Sequence, residues 1–336
     1  MGHAVVAEQL GRRFGSVVAV DGVDLTVARG EIYGFLGPNG AGKSTMVRML
    51  TTLLLPTSGR ATVAGQDVVR DPVQVRLRIG AALQDAALDP KQTGLELLRL
   101  QGRLYGLSSS DIKRRVDEVT PLMDIGAAIN RQIRTYSGGM KRRLDLAASL
   151  MHNPEVIFLD EPTTGLDPIS RTRVWDEVRR INQDLGATIF LTTQYLEEAD
   201  ILSDRVGIIN RGVLAAEGTP AELKRSIGSD VIIARLGGDS EAAKGAVGAL
   251  PSVQHVSVYE NELSASVTNG AGSISGVALA LNRAGVDVLE LTLRTPTLDD
   301  VFLRVTGAHL QQDKQPEQAD DQQDGASEPA VEEPVK

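Results

Sequence analysis

The chain contains no cysteine, so neither a disulfide framework nor a thiolate metal centre is open to it, which fits a reducing compartment. Aromatic residues are scarce at 3%, and aliphatic side chains must fill the core. No run reaches the roughly 18 apolar residues that cross a bilayer, and no apolar signal region opens the chain. The opening Met1-Gly2-His3-Ala4-Val5-Val6 lacks the Ser or Thr of a myristoylation site, so neither lipid anchoring nor direct membrane insertion is expected. Basic residues are in the minority: 35 Lys and Arg against 44 Asp and Glu give a formal net charge of -9, which argues against a general nucleic-acid binder. Eight acids and two bases fall between Asp313 and Lys336, and the remainder is close to neutral. A cytosolic protein of about two domains follows from these limits and from a length of 336 residues.

What the chain does have is Gly37-Pro38-Asn39-Gly40-Ala41-Gly42-Lys43-Ser44-Thr45, between the apolar run Ile32 to Leu36 and the helical pattern Met46 to Leu53. Strand, glycine loop and helix in that order form a P-loop, in which backbone N–H groups surround phosphates, Lys43 neutralises the outer ones and Ser44 is placed to hold Mg²⁺. The alternative is a glycine-rich turn between two core elements. Ahead of it, Val5 to Leu10 and Val17 to Val27 read as short antiparallel strands broken by Gly11, Gly15, Asp21 and Gly22. Phe14, in their turn, serves either as a core aromatic or as a stacking face for adenine.

Ile79 to Leu83 reads as a brief strand that ends at Gln84, a residue able to reach a metal or a phosphate-bound water. From Thr93 to Arg131 apolar residues fall on helical spacings, the pattern of an inserted helical layer. Ser137-Gly138-Gly139 then heads another helix, where Ser137 can cap and two glycines expose N–H groups to an anion; an ordinary capped helix with a basic first turn is the plainer reading. Val156 to Leu159 is an unbroken apolar strand that runs into Asp160 and Glu161. Acids at the end of a strand buried on both faces need a partner, and Mg²⁺ with ATP supplies one. Asp160 would orient the metal and Glu161 would polarise the attacking water. Thr188 to Thr193 is a second buried strand, ending at Gln194.

With the P-loop, Gln84, Ser137-Gly138-Gly139, Asp160-Glu161, Gly165-Leu166-Asp167 and Gln194 in this order, residues 4 to 222 resemble the ATP-binding cassette (ABC) ATPases of transporters. The resemblance implies that Phe14 stacks on adenine, that Gly37 to Thr45 hold the phosphates, and that Gln84 joins Ser44 and Asp160 around Mg²⁺ and links that site to a membrane partner. It implies that Ser137, Gly138 and Gly139 contact the γ-phosphate held by a second copy in a head-to-tail dimer, with Asp167 in the loop that crosses the interface. Lys43, Glu161 and Gln194 are then the catalytic set. Three motifs depart from the family's usual pattern. Tyr136 and Met140 replace the ends of Leu-Ser-Gly-Gly-Gln, Phe14 stands where tyrosine is commoner, and Gln194 replaces a histidine, donating a hydrogen bond without becoming cationic near pH 7. More narrowly, Thr192 to Asp200 and Thr297 to Phe302 resemble the daunorubicin-resistance exporter ATPases, in which the permease is a separate integral-membrane polypeptide.

The expected architecture is α/β. A P-loop NTPase core with an antiparallel β subdomain and an inserted helical subdomain (about 85–155) occupies residues 1–222. Residues 223–310 read as βαββαβ, a small α+β, ferredoxin-like domain, and 311–336 as a disordered acidic tail. After Pro296, Thr297 with Asp300 completes an acid variant of the capping box. Leu298, Val301, Phe302 and Val305 form an apolar stripe, expected to close the small sheet rather than to dock a partner. The resemblance implies the ATP-hydrolysing subunit of an efflux transporter, peripheral on the cytoplasmic face of the membrane. A soluble ABC ATPase acting on ribosomes or DNA is the alternative, but such proteins resemble tandem cassettes with a basic linker, or carry long coiled-coil or zinc insertions.

Overall fold

The computed structural model describes residues 2–83, 88–124, 126–237, 240–259 and 261–307. Gln84 and the expected acidic tail from Gln311 lie outside the described residues. The chain opens with a long hairpin, β1 (His3–Phe14) and β2 (Val17–Ala28). Gly15 lies in the turn between them as expected, but the strands run through Gly11, Asp21 and Gly22, because register shifts between Ala7 and Leu10 and between Leu10 and Arg13 absorb the irregular residues as bulges. The fully buried β3 (Ile32–Leu36) follows and leads through the glycine loop into α1 (Lys43–Leu50). β4 (Ser58–Val63) and β5 (Gln66–Asp67) join the hairpin in a sheet of order β2-β1-β4-β5.

After α2 (Pro72–Arg76) and β6 (Ile79–Ala82) come three helices, α3 (Gly94–Leu104), α4 (Ser109–Leu122) and α5 (Gly138–Ser149). Thr93 and Glu96 close a capping box at α3, and Ser108 and Ser137 cap the other two. β7 (Val156–Asp160), α6 (Pro168–Leu185), β8 (Thr188–Thr193), α7 (Leu196–Leu202), β9 (Arg205–Asn210) and β10 (Val213–Gly218) complete a six-stranded sheet of order β10-β9-β3-β8-β7-β6. Five strands are parallel and β10 is antiparallel at the edge. Its centre, β3, β7 and β8, is buried on both faces, which is why these strands are continuous apolar runs.

α8 (Pro220–Ile227) leads into β11 (Asp230–Leu236), α9 (Ser240–Gly248), β12 (Val253–Tyr259), β13 (Glu262–Val267), α10 (Gly270–Arg283) and β14 (Val288–Arg294). Their antiparallel sheet has the order β12-β13-β11-β14 expected of a ferredoxin-like unit. Ile232, Ala234 and Leu236 meet Ala243, Val247, Val277 and Leu281, so α9 and α10 already cover the apolar face of this sheet.

The last helix, α11 (Leu298–Thr306), has the expected capping box and a left-handed Gly307 at its end. It does not close the small sheet. Leu298, Val301 and Phe302 instead join Leu223 of α8, Ala199 of α7 and Leu36, Val206 and Ile208 of the six-stranded sheet. Arg304 donates to the last carbonyls of α8, Ser226 and Ile227, at 3.3 and 3.2 Å. The chain thus leaves the six-stranded sheet, builds the small domain, and returns to pack on the sheet it left. Among the described residues, no helix is long and apolar enough to cross a membrane.

On α6, the Glu177 side chain is 1% exposed, 3.8 Å from Arg143. Burial pushes its pKa up to about 8 against the pull of Arg143. Its folded pKa lies above the unfolded one, so the folded state retains a proton that the unfolded state releases above about 4.5. This contribution to stability is present below that pH and is lost as pH rises through about 8. Glu177→Gln should therefore raise the melting temperature more at pH 9 than at pH 5. Equal shifts at the two pH values would show that the carboxyl is ionised throughout.

Candidate active site

Every residue of β3 is buried, and the chain turns sharply at its carboxyl end. Gly42 caps α1 at φ 109°, and a Cβ there would lie 2.4 Å from the Ala19 carbonyl oxygen. A side chain at Gly37 would meet the Ile209 carbonyl oxygen at 2.6 Å. These two glycines are required because β2 and β9 close on the loop. The loop aims Lys43 inward at 4% exposure. Its Nζ donates to the carbonyls of Gly37 (2.8 Å) and Pro38 (3.2 Å) and lies 3.1 Å from Glu161 Oε1. Such a cation, held by weak carbonyl partners at the head of a helix, is suited to meet phosphate oxygens.

The carboxyl ends of β7 and β8 supply the other side. Asp160, 4% exposed, accepts at Oδ1 from Thr192 Oγ1 at 2.5 Å and from Ser44 Oγ at 3.3 Å. A hydroxyl beside a buried carboxylate offers oxygen donors of the kind a hard divalent cation takes. Glu161 departs from the strand in the left-handed region, φ 49°. Its N–H donates to both oxygens of Thr192 at 3.1 Å. That turn swings its side chain toward Lys43, and Thr164 Oγ1 donates to Oε2 at 3.2 Å. A non-glycine residue held this way costs on the order of 1–3 kcal/mol and persists only where its surroundings enforce it.

Lys43, Ser44, Asp160 and Glu161 are thus in one cluster. Gln194 is half-buried at the end of β8, and the preceding Thr193 carbonyl accepts from Gly37 N–H at 3.3 Å, tying that strand end to the loop. Ser137 and Gly138 are exposed at the head of α5, where Ser137 Oγ accepts from Met140 N. Gly139 faces Ser170 in the first turn of α6. Asp167 caps α6 by accepting from Ser170 N and Oγ, and those bonds hold its carboxyl below the usual range. Phe14 is 46% exposed at the hairpin end, with the Arg12 guanidinium 4.6 Å from its ring centre. It is not a core aromatic.

Two contributors had no signal in the sequence. Thr192 clamps both acids, yet reads as one more β-branched strand residue. Arg142, from what looked like an ordinary basic turn, donates to the carbonyls of Leu83 (2.6 Å), Ala82 (3.3 Å), Asp160 (3.0 Å) and Pro162 (3.3 Å). It holds α5 against the ends of β6 and β7.

The family pattern described as "ABC transporter" matches residues 20–164, and that described as "ATP-binding protein DrrA1-3-like, C-terminal domain" matches residues 218–306. Daunorubicin resistance ATP-binding protein DrrA3 of Streptomyces coeruleorubidus is 50% identical over 307 residues, 90% of this chain and 96% of that protein. Daunorubicin/doxorubicin resistance ATP-binding protein DrrA of Streptomyces peucetius is 44% identical over 94% of this chain and 96% of its own length. Among solved structures, cbiO1 of Clostridium perfringens, part of the ABC transporter complex cbiONQ, superposes with a TM-score of 0.63 at 26% identity, covering 68% of this chain and 94% of that one. The match spans both the glycine-loop core and the returning C-terminal segment, and the chain belongs to the ABC transporter family as an ATP-binding, ATP-hydrolysing subunit with a DrrA-like C-terminal domain.

Proposed function

We propose that this chain powers an efflux system from the cytoplasmic face of the cell membrane, working on a separate integral-membrane permease that exports a drug or hydrophobic metabolite. The resistance named in its relatives supports the substrate class. The observation that carries the catalytic reading is the convergence of buried Lys43 on Glu161, 3.1 Å away, beside an Asp160 carboxylate braced by Ser44 and Thr192.

On this reading Gly37, Pro38, Asn39, Gly40, Ala41, Gly42 and Thr45 surround the phosphates of ATP. Lys43 exchanges its loop carbonyls for the outer phosphate oxygens. Ser44, Asp160 and Gln84 would hold Mg²⁺, which neutralises charge on the phosphates when bound. Glu161 accepts the proton of the attacking water at its carboxylate, and Gln194 donates its amide N–H toward the γ-phosphate. Phe14 presents its exposed ring to adenine. Ser137, Gly138, Gly139 and Asp167 sit at the exposed, adjacent heads of α5 and α6, where they face the nucleotide of a second copy in a head-to-tail dimer. The division into a cassette (1–222), an accessory domain (223–310) and a tail (311–336) belongs to the same reading, with α11 docked back on the cassette.

Co-expression with the hydrophobic permease of an adjacent reading frame should confer drug efflux, and Lys43→Ala should abolish it. Efflux that survives Lys43→Ala would refute the coupling. Gln194→Ala should lower phosphate release by about 100-fold, the loss typical of a transition-state donor, while Gln194→His remains active. An alanine variant with unchanged turnover would reduce Gln194 to a loop filler.

A further inference from the structure

Glu198 of α7 is wholly buried, and nothing in the catalytic reading uses it. Its Oε1 accepts from Thr163 Oγ1 at 2.9 Å and from Trp175 Nε1 at 3.0 Å. Thr163 lies two residues past Glu161 and is itself fully buried. Trp175, the only tryptophan of the chain, lies on α6, which Asp167 caps. The third neighbour is Thr193, whose hydroxyl accepts from Tyr195 N–H at 2.9 Å and so brackets Gln194 from both sides. One carboxyl thus gathers the segment carrying Glu161, the segment carrying Gln194 and the helix headed by Asp167.

Stability alone gives no reason for a carboxyl here. Burial raises the pKa of Glu198 despite the Thr163 and Trp175 donors, the nearby Thr193 hydroxyl and the charge of Arg171, so the site works against the ionised form. A well-packed apolar side chain of similar volume would hold the three elements together at least as firmly. What an apolar residue lacks is direction, because hydrogen bonds from two fixed donors, Thr163 and Trp175, select one mutual arrangement of the elements.

We propose that Glu198, on the helix that follows Gln194, is a positioning residue for ATP hydrolysis, fixing through its bonds to Thr163 and Trp175 the placement of Glu161 and the Asp167 helix relative to Gln194. It touches no reacting atom. It acts through those neighbours, and the inference rests on the roles given above to Glu161 and Gln194.

Glu198→Ala should lower kcat by about 100-fold, as a displacement of about 1 Å in a catalytic group does, while the dissociation constant of a fluorescent ATP analogue stays within about threefold. Glu198→Gln should return turnover to within about threefold of the parent, because its amide oxygen still accepts from Thr163 and Trp175. Thr163→Val removes one of the bonds and leaves the carboxyl in place, so it decides the matter if Glu198→Ala does not fold; a fall of about tenfold is expected. If turnover per folded molecule is unchanged in Glu198→Ala or Thr163→Val, or falls only in step with analogue binding, Glu198 is a structural group and the proposal is overturned. Glu161→Gln is run beside them. Normal turnover in that variant would overturn the catalytic reading itself, whereas an inactive Glu161→Gln beside fully active Glu198→Ala and Thr163→Val would overturn the positioning role alone.

Discussion

Glu161→Gln is expected to lower steady-state phosphate release by about a thousandfold, within the range that general acid–base groups contribute, and to leave ATP binding intact. The two side chains have nearly the same shape. With its amide oxygen in the place of Oε1, 3.1 Å from Lys43, the glutamine still accepts from that ammonium, and its amide N–H in the place of Oε2 donates to the Thr164 hydroxyl 3.2 Å away, so the loop around Lys43 keeps its arrangement. The backbone is equally unaffected, since the left-handed turn at φ 49° is held by N–H donation to Thr192 and not by the carboxyl. What disappears is the capacity to accept a proton from water. ATP that binds but is not cleaved should accumulate in the closed form, so a dimer dependent on ATP and magnesium should appear on a sizing column. Turnover close to that of the parent would remove Glu161 from the mechanism. A variant that stays monomeric with bound ATP would count against the head-to-tail arrangement.

How far this site could be read from the sequence depended on the range of the forces involved. The loop at Gly37 to Thr45 was legible because its demands are local: a buried strand before it, a helix after it, and glycines where other chain segments press in. β8 was legible over Thr188 to Thr193 because a strand buried on both faces leaves an uninterrupted apolar run. Thr192, Arg142 and Glu198 were not, since each acts across 18 to 60 positions of sequence on partners that periodicity does not identify. The left-handed backbone at Glu161 was equally silent. Nothing local marks it, and the hydrogen bonds that enforce it come from the neighbouring strand.

α11 shows the same limit in its packing. The stripe of Leu298, Val301, Phe302 and Val305 was correct, as were the cap at Thr297 and the stop at Gly307. Periodicity reveals that a face is buried, not what buries it. The small sheet was not available, because α9 and α10 already fill its apolar side.

Phe302→Ala should consequently destabilise the ATPase core and not the small domain. The ring is 1% exposed and shares a cluster with Leu36, Val206, Ile208 and Leu223, so truncation should cost about 3–5 kcal/mol through lost burial and a residual cavity. Leu36 immediately precedes the glycine loop, which puts that cavity under the nucleotide site. In calorimetry, the nucleotide-sensitive transition should fall by on the order of 10 °C for a domain of this size. A double-mutant cycle identifies the partner. Phe302→Ala with Leu223→Ala, two members of one cluster, should show coupling of about 0.5–3 kcal/mol, while Phe302→Ala with Leu281→Ala, in the core of the small sheet, should be additive within about 0.5 kcal/mol. The opposite pattern, coupling to Leu281 and an unmoved nucleotide-sensitive transition, would return α11 to the small domain. With the observed packing, loosening α11 is felt at the P-loop, because the same cluster that seats Phe302 also seats Leu36.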